Sequence, residues 1–139
     1  MKLVHVNNCP NCPVLGAEDI PGQEEFHFMA LHFDIAKARK LVAKRAPVEL
    51  PKSYAAQVHT WCRINEAHLD HIPNPSEPGI LVRLPQKLGN LLIDGNHRAV
   101  RSARDGYAFT VRVVEANELV KCGCSPHVVK LMEKSGGAQ

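Results

Sequence analysis

The sequence predicts one α+β domain with a small mixed sheet and surrounding helices. Its 139 residues suit one domain, since domains cluster at about 100–150 residues. Hydrophobic residues make up 45% of the chain and charged residues 22%, a balance that is ordinary for a globular protein and argues against disorder. Short apolar runs of strand length alternate with segments of helical periodicity. The sequence shows no repeat, which excludes solenoid folds.

Strands are predicted where apolar residues run for a few positions between turn-forming residues. In chain order they are Lys2–Val6, Phe26–Phe33, Pro47–Pro51, Ile80–Leu84, Leu91–Ile93 and Phe109–Val114. Residues 7–24 and Pro73–Gly79 are rich in proline, glycine and polar residues, which indicates loops. His27 and His32 are five positions apart in what is predicted as one strand, so we expect them on opposite faces.

Helices are predicted where apolar residues recur every three or four positions. Asp34 and Ser53 are expected to cap the first two, whose apolar faces extend to Val42 and Cys62. The others are Glu66–Ile72, Asn96–Asp105 with Gly106 after it, and a last helix from Ser125 or Pro126 through Met132 with a frayed end. Glycine is the residue that most often ends a helix in the left-handed conformation.

Cysteine use and hydropathy suggest the compartment. No apolar run reaches the roughly 18 residues of a membrane span, and the apolar stretch at the N-terminus is too short for a signal peptide. We therefore expect a cytoplasmic protein with no membrane partner. The five cysteines are then thiols or metal ligands rather than disulfides. Cys9 and Cys12 have zinc-knuckle spacing while Cys122 and Cys124 are one residue closer, so the alternatives are structural Zn²⁺ on all four and incidental thiols.

The most informative segment is Leu91–Arg101, which contains Asp94-Gly95-Asn96-His97-Arg98. It predicts a buried strand, a glycine turn and a helix whose first turn carries His97 and Arg98. Free backbone N–H groups at a helix N-terminus attract anions, and the helix dipole adds to this attraction. Glycine lets the backbone approach a ligand closely, and arginine grips two phosphate oxygens at once. The segment predicts a phosphate site, and the alternative is a capped helix with solvated His97 and Arg98.

This segment resembles the signature of the ParB/sulfiredoxin superfamily, which includes ParB-like nuclease domains and carries a DGxHR or GGCHR turn at a helix start. The flanking segment Gly79–Arg83 and the strand Phe109–Val114 agree with the resemblance, as do Phe33–Ala38 and Pro47–Pro51 upstream. It covers residues 33–119 and implies a ParB/sulfiredoxin-like fold there. Residues 1–32 are then an N-terminal extension with a strand, and residues 120–139 a C-terminal helix and tail.

The resemblance implies that this turn holds the phosphates of a nucleotide. Members of the superfamily include CTP-binding partition proteins, nucleases, ATP-using sulfinic acid reductases and a free-serine kinase. The residues it assigns to phosphate binding are Gly95, Asn96, His97 and Arg98, to which we add Arg101 on the next turn of the helix. Asn96 stands where sulfiredoxins have their catalytic cysteine, so we do not expect sulfiredoxin chemistry. The sequence shows no helix-turn-helix segment for reading DNA, so a full centromere-binding role is not expected either.

Other polar residues are weaker candidates. Glu49 ends a predicted strand and is a candidate general base, with a solvated glutamate as the alternative. His68 and His71 are three positions apart and are candidates for lining the substrate mouth or binding a metal. Residues 95–112 hold four arginines and one aspartate, which equals the net charge of +3 of the whole chain. This local excess favours a small anionic ligand near the turn, although a solvated basic helix face is the alternative.

The segment predicts a phosphate site, and the resemblance implies that its ligand is a nucleotide of the ATP, ADP or CTP class, or a phosphodiester such as DNA. In the enzymatic form of this hypothesis the reaction is phosphoryl transfer or hydrolysis, with Mg²⁺ accompanying the nucleotide. His97, Arg98 and Asp94 would then be catalytic, with Glu49 as a further carboxylate. The alternative is a non-catalytic module that binds nucleotide or DNA and regulates a plasmid, phage or genome-maintenance system.

Overall fold

The computed structural model describes residues 2–3, 25–28, 30–60, 64, 66–72 and 74–137. The strands are β1 (Lys2–Leu3), β2 (Glu25–Phe28), β3 (Leu31–Asp34), β4 (Val48–Glu49), β5 (Gly79–Arg83), β6 (Asn90–Asp94) and β7 (Thr110–Val114). The α-helices are α1 (Ile35–Val42), α2 (Lys52–Gln57), α3 (Asn96–Asp105) and α4 (Pro126–Gly137). Short 3₁₀ helices span Val58–Thr60, Glu66–His71, Pro85–Lys87 and Ala116–Cys122.

The central sheet has four strands in the order β4-β7-β5-β6. β5 runs parallel to β7, while the β4–β7 and β5–β6 pairs are antiparallel, so the sheet is mixed as predicted. A second, three-stranded antiparallel sheet has the order β1-β2-β3. These features confirm the α+β class with a small mixed sheet.

β5 and β6 are buried on both faces, which explains why these two strands are nearly continuous apolar runs. Ile80 and Val82 belong to one core cluster, and Leu81 between them belongs to the other. β6 divides in the same way, because Leu91 and Ile93 lie on the first side and Leu92 on the second. The first cluster also contains side chains from β3, α1, the Ala116–Cys122 helix and α4, whereas the second contains those of α2 and α3.

The predicted strand Phe26–Phe33 is wrong, because the segment forms the antiparallel hairpin β2–β3. His27 and His32 are opposite one another in this hairpin, so the expectation that they lie on opposite faces of one strand is also wrong. An unbroken apolar run has no glycine, proline or asparagine to mark a turn, so its pattern does not distinguish one strand from two.

Two helix boundaries also differ from the prediction. Ser53 does not cap α2, which begins at Lys52 after Pro51 and has no side-chain cap; the Pro51 carbonyl accepts hydrogen bonds from the N–H groups of Tyr54 and Ala55. α4 continues to Gly137 rather than ending near Met132, since no proline follows to stop it. By contrast, the Asp34 cap is confirmed, because its carboxylate accepts a hydrogen bond from the N–H of Lys37 at 3.1 Å.

Among the described residues, none of the helices has both the length and the apolar character needed to cross a membrane.

Candidate functional site

The turn between β6 and α3 has the backbone conformation that the sequence predicts. Gly95 adopts a left-handed conformation, with φ at 91° and ψ at 20°, which glycine tolerates best because it has no Cβ. Gly95 is the N-cap of α3 and supplies no side-chain hydrogen bond, and the first turn contains no acidic residue. Gly95 therefore gives the first N–H groups of α3 no side-chain cap, which is a property expected of an anion-binding helix start.

Gly95 is packed tightly against the start of β5. A Cβ at Gly95 would lie 3.1 Å from the Cα of Gly79 and 3.1 Å from the Phe109 ring, and a Cβ at Gly79 would lie 2.5 Å from the carbonyl oxygen of Asp94. Both positions thus need glycine for close approach, and Gly95 needs it for its conformation as well. The sequence predicted Gly79 only as the last residue of the Pro73–Gly79 loop, so its steric role is a finding of the structure.

Asp94 is held by two arginines. Its carboxylate accepts hydrogen bonds from Nε and Nη2 of Arg39 at 3.2 and 3.3 Å, and it lies 3.4 Å from Nη2 of Arg98. The Asp94 side chain is only 11% exposed, whereas that of Arg39 is 51% exposed. Arg39 lies on α1, 55 positions earlier in the chain, and no local signal in the sequence pointed to it.

Arg98 also ties the turn to the loop before β5. Its Nη1 donates hydrogen bonds to the carbonyl oxygens of Glu77 and Pro78, at 2.7 and 3.3 Å. The side chain is mostly buried, and Nη1 lies 3.8 Å from the Glu77 carboxylate. Arg98 is therefore a positioning residue, whose guanidinium fixes the loop and Asp94 around the first turn of α3.

Asn96 forms a hydrogen bond with the backbone of β6, the last strand of the central sheet. Its Nδ2 donates a hydrogen bond to the Leu92 carbonyl at 3.0 Å, and the Leu92 N–H donates to the hydroxyl of Tyr54 at 2.7 Å. Because β6 is an edge strand, these two side chains satisfy backbone groups that a further strand would otherwise pair. The Asn96 side chain is buried, and its Oδ1 has no hydrogen-bond partner among the described residues.

The other predicted residues of α3 lie in different surroundings. His97 is buried. Nη1 of Arg101 donates a hydrogen bond to the Leu69 carbonyl at 3.2 Å, and its Nε lies 3.4 Å from Asp105. These contacts join α3 to the 3₁₀ helix Glu66–His71 rather than directing Arg101 to the turn.

The local charge excess predicted for residues 95–112 is largely neutralised by acidic residues. Arg104 contacts the Asp105 and Asp70 carboxylates, each at 2.8 Å. Its hydrogen bonds to Asp105 and Asp70 raise the pKa of Arg104, and the bond from Arg104 lowers the pKa of Asp105. Arg98 pairs in turn with Asp94 and Glu77. Three of the partners (Asp70, Glu77 and Asp94) lie outside residues 95–112. For this reason the charge count over that segment overstated the local positive charge.

The remaining candidates are not brought to the turn. Glu49 is exposed on β4, and Asp94 lies on β6; three strand spacings separate these edge strands, or roughly 14 Å. His71 is exposed in the 3₁₀ helix that packs on α3. The side chain of His68 lies outside the described residues.

The two described cysteines of the predicted zinc site lie in the core. Cys122 and Cys124 are buried, free thiols. Burial raises the pKa of Cys122 to about 11 and that of Cys124 to about 12, so both are protonated near neutral pH. Cys9 and Cys12 lie outside the described residues. Within the described part of the chain, no three histidine, cysteine or acidic residues form a group that fits a metal ion.

Comparison with known proteins gives no relative from which to assign a function. A scan of protein families finds no match to the chain. Searches of curated proteins and of solved structures also find none. The superfamily resemblance therefore stays a prediction, and a functional proposal depends on the geometry of the turn.

Proposed function

We propose that the first turn of α3 binds the phosphate group of a nucleotide or of a phosphodiester. The observation that carries the proposal is the start of α3 at the left-handed Gly95, which supplies no side-chain cap, with no acidic residue in the first turn of the helix. Backbone N–H groups there point out of the helix, and the helix dipole favours an anion at this end. The superfamily resemblance, which rests on the residues of the same turn, implies the same kind of ligand.

The ion pairs around the turn define how a phosphate would bind. Asp94 already occupies the guanidinium groups of Arg39 and Arg98, so an incoming phosphate competes with its carboxylate for them. Arg39 is the more exposed of the two arginines, so it exchanges partners more readily. Arg98 stays bound to the Glu77 and Pro78 carbonyls and keeps the loop in place. We therefore assign phosphate binding to the N–H groups of residues 96–98 and to Arg39.

Mg²⁺ is proposed to arrive bound to the nucleotide rather than to occupy a site made by the protein. Asp94 is the carboxylate that directly precedes the turn, and it is engaged by two arginines. Magnesium in nucleotide sites is commonly held by substrate phosphates and water with only one or two carboxylates. The donor set at the turn therefore does not fit a resident metal.

A thermal-shift panel tests the proposal with ATP, ADP, CTP, GTP and a short DNA duplex, each with and without Mg²⁺. A ligand that binds only the folded state raises the melting temperature in a saturable way. We expect a saturable rise with at least one nucleotide or with DNA. The absence of a rise with every ligand would contradict phosphate binding at this turn.

Two matched variants locate the site. Arg39→Gln removes the arginine that pairs with Asp94, while Lys40→Gln makes the same charge change at the exposed neighbouring position. We expect Arg39→Gln to weaken binding by about tenfold, the loss of roughly one charge-assisted hydrogen bond, and Lys40→Gln to leave it nearly unchanged. Equal effects of the two variants would show that binding depends on general charge and not on this turn.

Asp94→Asn separates binding from catalysis. If Asp94 competes with the phosphate, this variant binds nucleotide more tightly, because its amide no longer holds the two arginines by charge. If Asp94 holds a catalytic metal, phosphate release is lost without a gain in affinity. Turnover that disappears in His97→Ala identifies an enzyme, whereas saturable binding without turnover in the wild type identifies the regulatory module.

A further inference from the structure

A cavity of about 170 Å³ lies between α2 and α3, away from the phosphate-binding turn. Its inner wall includes the buried side chains of Leu50, Ala55 and Phe109. Lys52 and Ala103, both exposed, lie at its mouth. None of residues 94–98 is among the described residues that line it, so the cavity is a separate feature of the fold.

The size and lining of the cavity match a single aromatic ring. An apolar cavity of about 150 Å³ is sufficient to hold benzene, and this cavity is slightly larger. Alanine side chains on both helices keep it open, because they leave room that larger residues would fill. A single ring therefore fits the space, whereas a nucleoside is too large to enter it entirely.

The polar groups at the cavity favour a ligand with an acceptor or a negative charge. Lys52 is the charged residue among the described lining residues. Tyr107 also lines the cavity, and its buried hydroxyl has no hydrogen-bond partner among the described residues. Ser102 Oγ already donates to the Ala99 carbonyl at 2.6 Å, so it offers a ligand only its lone pairs. A buried hydroxyl without a partner is unfavourable, and an acceptor on a ligand relieves this.

We propose that this cavity is a second ligand site, which binds a small aromatic carboxylate. The ring lies against Leu50, Ala55 and Phe109, and the carboxylate accepts hydrogen bonds from the Lys52 ammonium and the Tyr107 hydroxyl. This site is independent of phosphate binding at α3 and does not require it.

Titration with benzoate, followed by two-dimensional amide NMR of the full chain, tests the proposal. Benzylamine is the matched probe, because it has the same ring and the opposite charge. We expect benzoate to shift the amide signals around the cavity in a saturable way, with a Kd on the order of 1 mM for so small a ligand. Benzylamine should bind at least several-fold more weakly.

Ala103→Leu places a larger side chain at the mouth, at an exposed helical position that tolerates leucine. Ala36→Leu makes the same change on the exposed face of α1. We expect the first variant to lose benzoate binding and the second to keep it. Lys52→Gln and Tyr107→Phe should each weaken benzoate binding several-fold. Tyr107→Phe should maintain or raise the stability of the free protein, because it removes a buried hydroxyl that has no partner among the described residues.

No saturable shift with benzoate, equal affinity for benzylamine, or unchanged binding in Ala103→Leu would each overturn the proposal. If Ala103→Leu does not fold, Lys52→Gln decides, because Lys52 is exposed and its replacement leaves the core intact. Unchanged benzoate affinity in that variant would contradict the assigned ligand class.

Discussion

Replacing Gly95 by alanine tests the packing of the candidate turn, and Gly106 provides its control. Both glycines have a positive φ, 91° at Gly95 and 78° at Gly106. They differ in space, since a Cβ at Gly95 would meet three atoms at 3.1–3.2 Å whereas one at Gly106 meets nothing within 4 Å. The difference between the two variants therefore isolates the cost of close approach from the cost of the left-handed backbone.

The expected magnitudes follow from these two contributions. A left-handed backbone costs a non-glycine residue about 1–2 kcal/mol, so Gly106→Ala should lower the free energy of unfolding by that amount. Overpacking adds about 1–3 kcal/mol, so Gly95→Ala should cost about 2–5 kcal/mol. Gly79→Ala has an ordinary φ, but its Cβ would lie 2.5 Å from the Asp94 carbonyl oxygen, so we expect about 1–3 kcal/mol from overpacking alone.

Urea denaturation of the three variants measures these values, provided that the slope of the transition does not change. Equal costs for Gly95→Ala and Gly106→Ala would refute the close packing of Gly95 against Gly79 and Phe109. Phosphate binding gives a second readout, because Gly106 lies at the far end of α3. Gly95→Ala should weaken nucleotide binding at a temperature where the variant remains folded, and Gly106→Ala should not.

Three further predictions concern the stability of the scaffold. The bidentate hydrogen bond from Arg45 lowers the pKa of Glu118 to about 2, so Glu118→Gln should lose about 1–2 kcal/mol near neutral pH after allowance for the partly exposed arginine. A lowered pKa stabilises the fold only while the carboxyl is ionised, so the difference in free energy of unfolding between the wild type and Glu118→Gln should disappear as the pH falls from about 4.5 to about 2. A difference that stays constant with pH in chemical denaturation would contradict this prediction. Tyr54→Phe leaves the Leu92 N–H without its acceptor and should cost about 1–3 kcal/mol, whereas an unchanged melting temperature would show that water replaces the hydroxyl. Asp34→Ala removes a helix cap and should cost about 1 kcal/mol, and Asp34→Asn should recover most of it.

The sequence was most informative where the burial of an element leaves a distinct pattern. β5 and β6 are buried on both faces, so their apolar runs stand out from the surrounding polar chain. α3 is flanked at both ends by glycines in the left-handed conformation. Glycine is the residue that most often takes this conformation at a helix end, so the two glycines marked the ends of α3 in the sequence. These local signals were sufficient to predict the strand, turn and helix that form the candidate site.

Contacts between distant parts of the chain were not predictable from the sequence. The hairpin β2–β3 has no glycine, proline or asparagine that would mark its turn. Asp94 pairs with Arg39, which is 55 positions away. Arg45 contacts Glu118 across 73 positions for the same reason. An ion pair of this kind requires only opposite charges, so many pairings along the chain are equally compatible with the sequence, and the packing of α1 against the sheet selects one.

The pairing of Asp94 changes what the motif can do. As a sequence, Asp94 beside Arg98 suggested a carboxylate available for metal or catalysis and an arginine available for phosphate. In the fold, each neutralises the other, and Arg39 adds a second positive charge to the same carboxylate. A phosphate with two negative charges attracts both arginines more strongly than one carboxylate does. Replacement of the Asp94 carboxylate by such a phosphate is favourable when the ligand also accepts hydrogen bonds from the N–H groups of α3. A terminal phosphate therefore replaces Asp94 on the arginines more readily than a phosphodiester, which carries one negative charge.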